Sequence, residues 1–192
     1  VTTLFHDEQS ALARYRLASD DAFDVAPGWL FDGMAAAFRG GAARLAIVGD
    51  DPTLLSGEDP AKVARANKAR SKAYQPALEL ITTSAINWTL VAGATPAWAR
   101  AVFPDLDEAT ALARLWDAIL AASRADAPDP VAAWAAHNAS LVARRAMLNE
   151  RRYAALRFRG PGTDLVVGLA DGHAWSGGVT TARNGATGNP NI

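Results

Sequence analysis

An α/β fold, with helices layered on a mixed sheet, is what this sequence predicts, and three observations predict it. Short runs of β-branched and aliphatic residues alternate with longer stretches whose apolar residues recur at helical spacing. The connections between the first three strand-like runs are long and helical, which makes those three strands parallel. Close to the end, Phe158-Arg159-Gly160-Pro161-Gly162-Thr163-Asp164-Leu165-Val166-Val167-Gly168-Leu169 reads as two strands around a Gly-Pro-Gly turn, a C-terminal antiparallel hairpin.

Taken in order, Val1 to Phe5 is the first expected strand, followed by Asp7 as a cap for a helix over about Gln9 to Leu17. Trp29, Leu30, Met34 and Phe38 place a second helix over Pro27 to Phe38, stopped by Gly40-Gly41. Ala43 to Val48 is too short for a helix and is expected to be a buried strand. A long loop, Gly49 to Pro60, leads through an Asp59 cap and Pro60 at the first helical position into a helix over Ala61 to about Ile81. Pro76 is expected to kink or divide that helix. Asn87 to Ala92 is the third strand, and Pro96 to Phe103 a short helix ended by Pro104. Two longer helices follow, Asp107 to Ser123 and Pro130 to about Tyr153, the second with Val131, Trp134, Leu141, Val142 and Leu148 as its stripe. The hairpin strands are Ala154 to Phe158 and Asp164 to Leu169. From Asp171 onward the chain is rich in Gly, Thr and Asn, with no helix to close the fold at Asn189-Pro190-Asn191-Ile192. The domain reading is residues 1–153 as an α/β domain and 154–192 as the hairpin and the start of a second domain. A chain that opens in mid-strand suggests that its front is missing.

Bulk properties exclude several classes. The formal net charge is −1, so nothing points to nucleic acid or an anionic membrane as partner. There is no cysteine, which removes disulfides, thiolate metal sites and cysteine nucleophiles and agrees with a cytoplasmic protein. No apolar run approaches the ~20 residues of a membrane span.

The candidate constellations are few. Asp50, Asp51, Glu58 and Asp59 lie in the loop Gly49 to Pro60, where ligands bind in open α/β sheets, but that loop lacks the dinucleotide and phosphate-loop glycine patterns. Its acidic residues read better as caps and hydrated groups. Lys62, Arg65, Lys68, Arg70 and Lys72 spread around one helix without interleaved aromatics, a solvated face rather than a nucleic-acid footprint. His6, His137 and His173 are far apart, and no His-Glu-x-x-His helix occurs. The arrangement worth following is Asp164 with Asp171 and His173 in the hairpin region, where an Asp can orient a His or share a cation with it. The plainer reading is that Asp171-Gly172 is an ordinary turn. No Gly-x-Ser-x-Gly elbow is present, which argues against a serine hydrolase. Trp29, Trp88, Trp98, Trp116 and Trp134 are expected in the core. Trp175, beside Gly177-Gly178, is the exception; if exposed, it marks a surface to be covered. Asp164, His173 and Trp175 are thus the candidates for a cleft or domain interface, with no catalytic or metal residue assigned.

Read together, several segments resemble the N-terminal domain of the aminopeptidase T/aminopeptidase S family, the thermophilic-metalloprotease type. They are Gly49-Asp50-Asp51-Pro52-Thr53-Leu54-Leu55, Asp59-Pro60, Asn87-Trp88-Thr89, Thr95-Pro96-Ala97-Trp98-Ala99, Val102-Phe103-Pro104, Leu115-Trp116 and Asp129-Pro130-Val131. The last are Phe158 to Leu165 and His173-Ala174-Trp175-Ser176-Gly177-Gly178. The resemblance runs along nearly the whole chain in order. It implies a parent that removes N-terminal amino acids from peptides with a two-metal centre, zinc or cobalt, and that forms a homodimer. The family's metal ligands begin in a Pro-Thr-Glu-Glu motif beyond the stretch that this chain matches, so none is carried over. The expectation is a non-catalytic portion, inactive alone, whose partner is the missing C-terminal domain of the same chain. The alternatives are a free-standing α/β module binding a small anion at Gly49 to Pro60, and an interaction module without a ligand.

Overall fold

The computed structural model describes residues 1–181, 185, 187 and 188, and it divides into two compact units, Val1–Ala122 and Ser123–Ile192. The expected ending at Asn189 to Ile192 lies outside the described residues.

In the first unit, α1 (Glu8–Leu17) begins where the Asp7 carboxylate accepts the Ser10 N–H at 2.9 Å. A 3-10 turn, Asp20–Asp24, then buries Phe23 completely, with the Tyr15 ring stacked on it at 5.4 Å. Next comes α2 (Gly28–Arg39), which buries Phe31, Ala35 and Phe38, spaced one and two turns apart on one face. That face meets α3 (Pro60–Thr82), which is capped by Asp59 and contributes Ala77 and Ile81. Ala35, Phe38, Ala77, Ile81 and Ile86 form one core cluster. Burying each of its large side chains is worth about 1.5–3 kcal/mol. A second cluster, Ala99, Ala111 and Leu115, joins α4 (Pro96–Val102) to α5 (Glu108–Ala122). Between the helices run β1 (Arg44–Val48) and β2 (Trp88–Ala92), parallel and in register from Arg44 opposite Trp88 to Val48 opposite Ala92.

The α/β class and the parallel pairing agree with the sequence reading, and four details differ from it. Val1 to Phe5 forms no strand, and Val1, Leu4 and Phe5 stand exposed. A β-branched run becomes a strand only against a partner ladder, and among the described residues none adjoins it. The run Ala43 to Val48 is a strand but not a buried one, since Leu45 and Ile47 are 64% and 71% exposed. Most of the tryptophans stay out of the core: Trp29, Trp88 and Trp116 are exposed and Trp134 half-buried, while Trp98, also half-buried, packs against the Ala99–Ala111–Leu115 cluster. Pro76 does not divide α3, since Ala77 and Ile81 beyond it pack into the same cluster as Ala35 and hold the last turns in line.

The second unit is built on α6 (Pro130–Arg151), opened by Asp129, whose carboxylate accepts the Ala132 N–H at 2.9 Å, and by Pro130 at its first position. The hairpin of β3 (Ala155–Gly160) and β4 (Thr163–Gly168) pairs antiparallel from Ala155 opposite Gly168 to Gly160 opposite Thr163. Gly162 turns it at φ +74°, which only glycine adopts without strain. A two-residue pairing of β5 (Thr180–Thr181) with β6 (Thr187–Gly188) follows.

Candidate functional site

At the carboxyl ends of β1 and β2, where open α/β folds bind ligands, the two strand exits lie close together. A Cβ on Gly49 would lie 2.1 Å from the Gly93 carbonyl oxygen, so the two segments touch there, and the Thr95 hydroxyl donates to Gly49 O at 2.6 Å. Three acidic residues of the following loop have structural tasks. Asp51 accepts from the Thr53 N–H and hydroxyl at 2.8 and 2.7 Å, an Asx turn that holds its carboxyl below the usual range. Glu58 pairs with Arg16 at 3.0 Å, and Asp59 caps α3. The cation of the basic helix most heavily engaged, Arg65, reaches both Asp20 and Asp24 of the 3-10 turn, while the Lys62 ammonium lies 5.3 Å from the Phe23 ring centre.

Of the three residues singled out in the hairpin region, Asp164 stands apart from the other two. Asp164 is held by the Arg157 guanidinium, Nε at 2.8 Å and Nη2 at 2.6 Å, with Arg159 at 3.6 Å. The Arg157 hydrogen bonds lower its pKa. His173 turns its Nδ1 to Ala170 O at 2.8 Å and meets the Trp175 ring edge-on at 6.0 Å. His173 and Trp175 are therefore neighbours, whereas Asp164 is committed across its own hairpin.

Trp175 leads to residues that the sequence did not single out. Asn149 on α6 accepts the Trp175 N–H at 2.8 Å and donates to its carbonyl at 3.1 Å, a two-point clamp on one residue's backbone. One turn earlier, Arg145 donates to Gly177 O at 3.3 Å and Val179 O at 3.2 Å. Gly178, at φ +75°, sits so close to α6 that a Cβ there would lie 2.8 Å from Val142 Cγ2 and 3.1 Å from Asn138 O. Asn138, Val142, Arg145 and Asn149 are spaced by four, three and four, so one helix face holds the whole segment. The signal for it in the sequence is the placing of Asn138, Arg145 and Asn149 on one helix face, since side-chain bonds to backbone carry no motif.

Beside that face lies an open groove of about 810 Å³, lined mainly by Pro130, Val131, Trp134, Ala139, Val142 and Val179. Its floor is steadied by Trp134, whose Nε1 donates to Ser123 O at 2.8 Å beneath the Arg124 guanidinium, 4.7 Å from the ring centre. Asn138, 9% exposed, also lines the groove, and its Oδ1 accepts no hydrogen bond.

A divalent metal does not fit the residues present. Among the described residues no three His, Cys, Asp or Glu side chains converge, and the carboxylates Asp51, Glu58, Asp59 and Asp164 are engaged as above. No catalytic step is therefore derived from this chain.

Comparison with known proteins gives one answer. Residues 1–192 match the family described as thermophilic metalloprotease (M29). The chain is 56% identical over 191 residues to aminopeptidase T of Thermus thermophilus and 36% identical over 185 residues to aminopeptidase AmpS of Bacillus subtilis. These alignments take in 100% and 96% of this chain but 47% and 45% of the relatives, so it spans about half their length. The solved structure of wild-type AmpT from Thermus thermophilus superposes with a TM-score of 0.87 at 53% identity, over 98% of this chain and 46% of that one.

Proposed function

Because this chain belongs to the thermophilic metalloprotease (M29) family, we propose that it is the non-catalytic N-terminal portion of a metal-dependent aminopeptidase. The full-length protein removes N-terminal amino acids from peptides, with a divalent metal, zinc or cobalt, held outside this stretch. The observation that carries this reading is the asymmetry of the match, complete for this chain and less than half for relatives named as aminopeptidases. In the parent, residues 1–153 form an α/β wall of the substrate cavity, and residues 154–192 are the hairpin and the start of the metallopeptidase domain. Asp164, His173 and Trp175 lie at that domain interface. The parent acts as a homodimer in the cytoplasm, a setting with which the absence of cysteine agrees.

Metal titration tests the reading. Zinc or cobalt added to the 192-residue chain is expected to show no stoichiometric tight site, whereas the full-length protein binds metal and releases N-terminal residues from peptides. Stoichiometric tight binding by this chain alone contradicts the proposal.

A further inference from the structure

We propose that the outer edge of β1 is the seat of a further parallel strand, supplied with its connecting helix by the part of the full-length polypeptide outside these 192 residues. The inference rests on the reading that this chain is a portion of a longer protein. Its own support is the geometry of the sheet. Arg44 donates its N–H to Asn87 O at 3.0 Å, and Val48 O accepts the Gly93 N–H at 2.7 Å. Successive peptide groups of a strand alternate sides, so those of Arg44, Ala46 and Val48 face β2, and those of Leu45 and Ile47 point away from it. Among the described residues β1 has no neighbouring strand but β2, and neither the N–H nor the carbonyl of Leu45 or Ile47 finds a partner. That edge is open as well as unpaired, since the two residues are 64% and 71% exposed.

An unpaired ladder specifies its occupant more closely than an apolar surface does. Leu45 and Ile47 offer donors and acceptors that repeat every ~6.6 Å along the strand, a spacing that another extended backbone matches. Natural sheets blunt an edge that stays open with lysine, proline or a bulge; Leu45-Ala46-Ile47-Val48 has none of these and pairs without interruption. Parallel sheets also have both faces covered, because each parallel strand arrives through a helical crossover. In β1 one side is covered, with Ala46 and Val48 half-buried, and the side of Leu45 and Ile47 is bare. A strand that arrives with its helix supplies ladder and cover together. A second copy does not: joined edge to edge about a two-fold axis, the two β1 strands run antiparallel with both bare faces on the same side, still bare. The relatives supply the length, since alignment covers 47% of aminopeptidase T, and a linked segment reaches an effective concentration in the millimolar range. Val1 to Phe5, strand-like without a ladder, leads into α1, where Glu8 accepts the Asp51 N–H at 2.6 Å just beyond β1. A strand added beside β1 gives that run its ladder too.

Amide exchange reads the edge directly, with Ala46, whose N–H faces β2, as the reference in both proteins. In the 192-residue chain the Leu45 and Ile47 N–H groups are expected to exchange fast. In the full-length protein their rates relative to Ala46 should be lower by on the order of a hundredfold or more. Equal relative rates overturn the proposal. So does protection already present in the short chain, which sedimentation assigns to a second copy if it grows with concentration and to the chain's own residues if it does not. An independent arm is Ile47→Pro, which removes the outward N–H and leaves the bonds to β2 in place. The melting midpoint of the short chain should stay within about 2 °C, and that of the full-length protein should fall by about 5 °C or more, because only there is a ladder broken. A fall in the short chain as large as in the long one, or no fall in either, also overturns the proposal. Neither readout uses catalysis. A full-length protein that protects the edge but hydrolyses no peptide leaves this inference standing and removes the functional reading, and one that hydrolyses peptides with the edge unprotected does the reverse.

Discussion

Residues 1–122 and residues 123–192 are held together by different chemistry. In the first unit, helices close over Phe23, Phe31, Phe38, Ile81 and Leu115, and every fully buried apolar side chain among the described residues belongs there. In the second, the buried side chain is an asparagine, the apolar residues Phe158, Leu165, Val166 and Val167 of the hairpin stand exposed, and order comes from side chains bonded to backbone. The contrast teaches that family membership over the whole chain does not mean uniform self-sufficiency. Both units expose apolar side chains, Leu45 and Ile47 in the first and Leu165 and Val166 in the second, but among the described residues only the first also has a buried apolar core.

The sharpest way to break that contrast is a pair of truncations. Phe38→Ala opens a cavity in the Ala35–Ala77–Ile81 cluster and should cost about 3–5 kcal/mol in urea denaturation. Leu165→Ala on the exposed face of β4 should stay within about 0.5 kcal/mol. Comparable losses would show that the hairpin contributes a core of its own and would remove the distinction.

Next in size is Gly178→Ala. The substitution asks an L-residue to hold φ +75° while its Cβ meets Val142 and the Asn138 carbonyl, a cost of about 1–3 kcal/mol. Amide exchange at the Trp175 and Val179 N–H groups should quicken, with no change at Ala77. An unchanged exchange pattern would mean that the close approach to α6 does not order this segment.

The sequence made the first unit more legible than the second, for a physical reason. Apolar residues one and two turns apart, as in Phe31, Ala35 and Phe38, announce a packed helix face wherever they occur. Caps such as Asp59-Pro60 and Asp129-Pro130 were equally readable, and both open helices as expected. What failed was any inference that depended on a distant partner. Val1 to Phe5 has the composition of a strand and no ladder, and Trp29 has a core residue's character at 77% exposure. Around the site, Trp175 stood out by its own chemistry, but Asn149 and Arg145, which hold its segment, did not. Their role is to bond peptide groups, and any peptide presents the same groups whatever its side chains.

Asn149→Ala is expected to cost about 1 kcal/mol, less than the glycine substitution, because water can replace part of what the amide supplies. Both bonds to the Trp175 backbone vanish together, so exchange at the Trp175 N–H should rise while Arg145 still holds Val179. Asn149→Asp separates the two halves of the clamp: it keeps an acceptor for the N–H and loses the donor to the carbonyl. Exchange at Trp175 that follows Ala but not Asp would assign the ordering to the accepted bond.

The smallest effect belongs to the hairpin pair, and its sign is fixed by the direction of one titration. Arg157 hydrogen bonds hold the Asp164 carboxyl below the ordinary carboxylate value of 3.8, so the folded pKa is the lower one. The pair's contribution is then fully present above the unfolded value and fades as pH falls through the folded one, in the acid range beneath 3.8. Both side chains are about half exposed, at 51% and 53%, so salt should weaken the effect strongly. NMR titration of the Asp164 carboxyl is expected to show its midpoint below that of a model peptide and to move upward in Arg157→Ala. The Arg159 guanidinium, more distant at 3.6 Å, should sustain only a minor part of the displacement. A midpoint insensitive to Arg157 would mean that this cross-strand contact is absent in solution, and with it the polar ordering that distinguishes the second unit from the first.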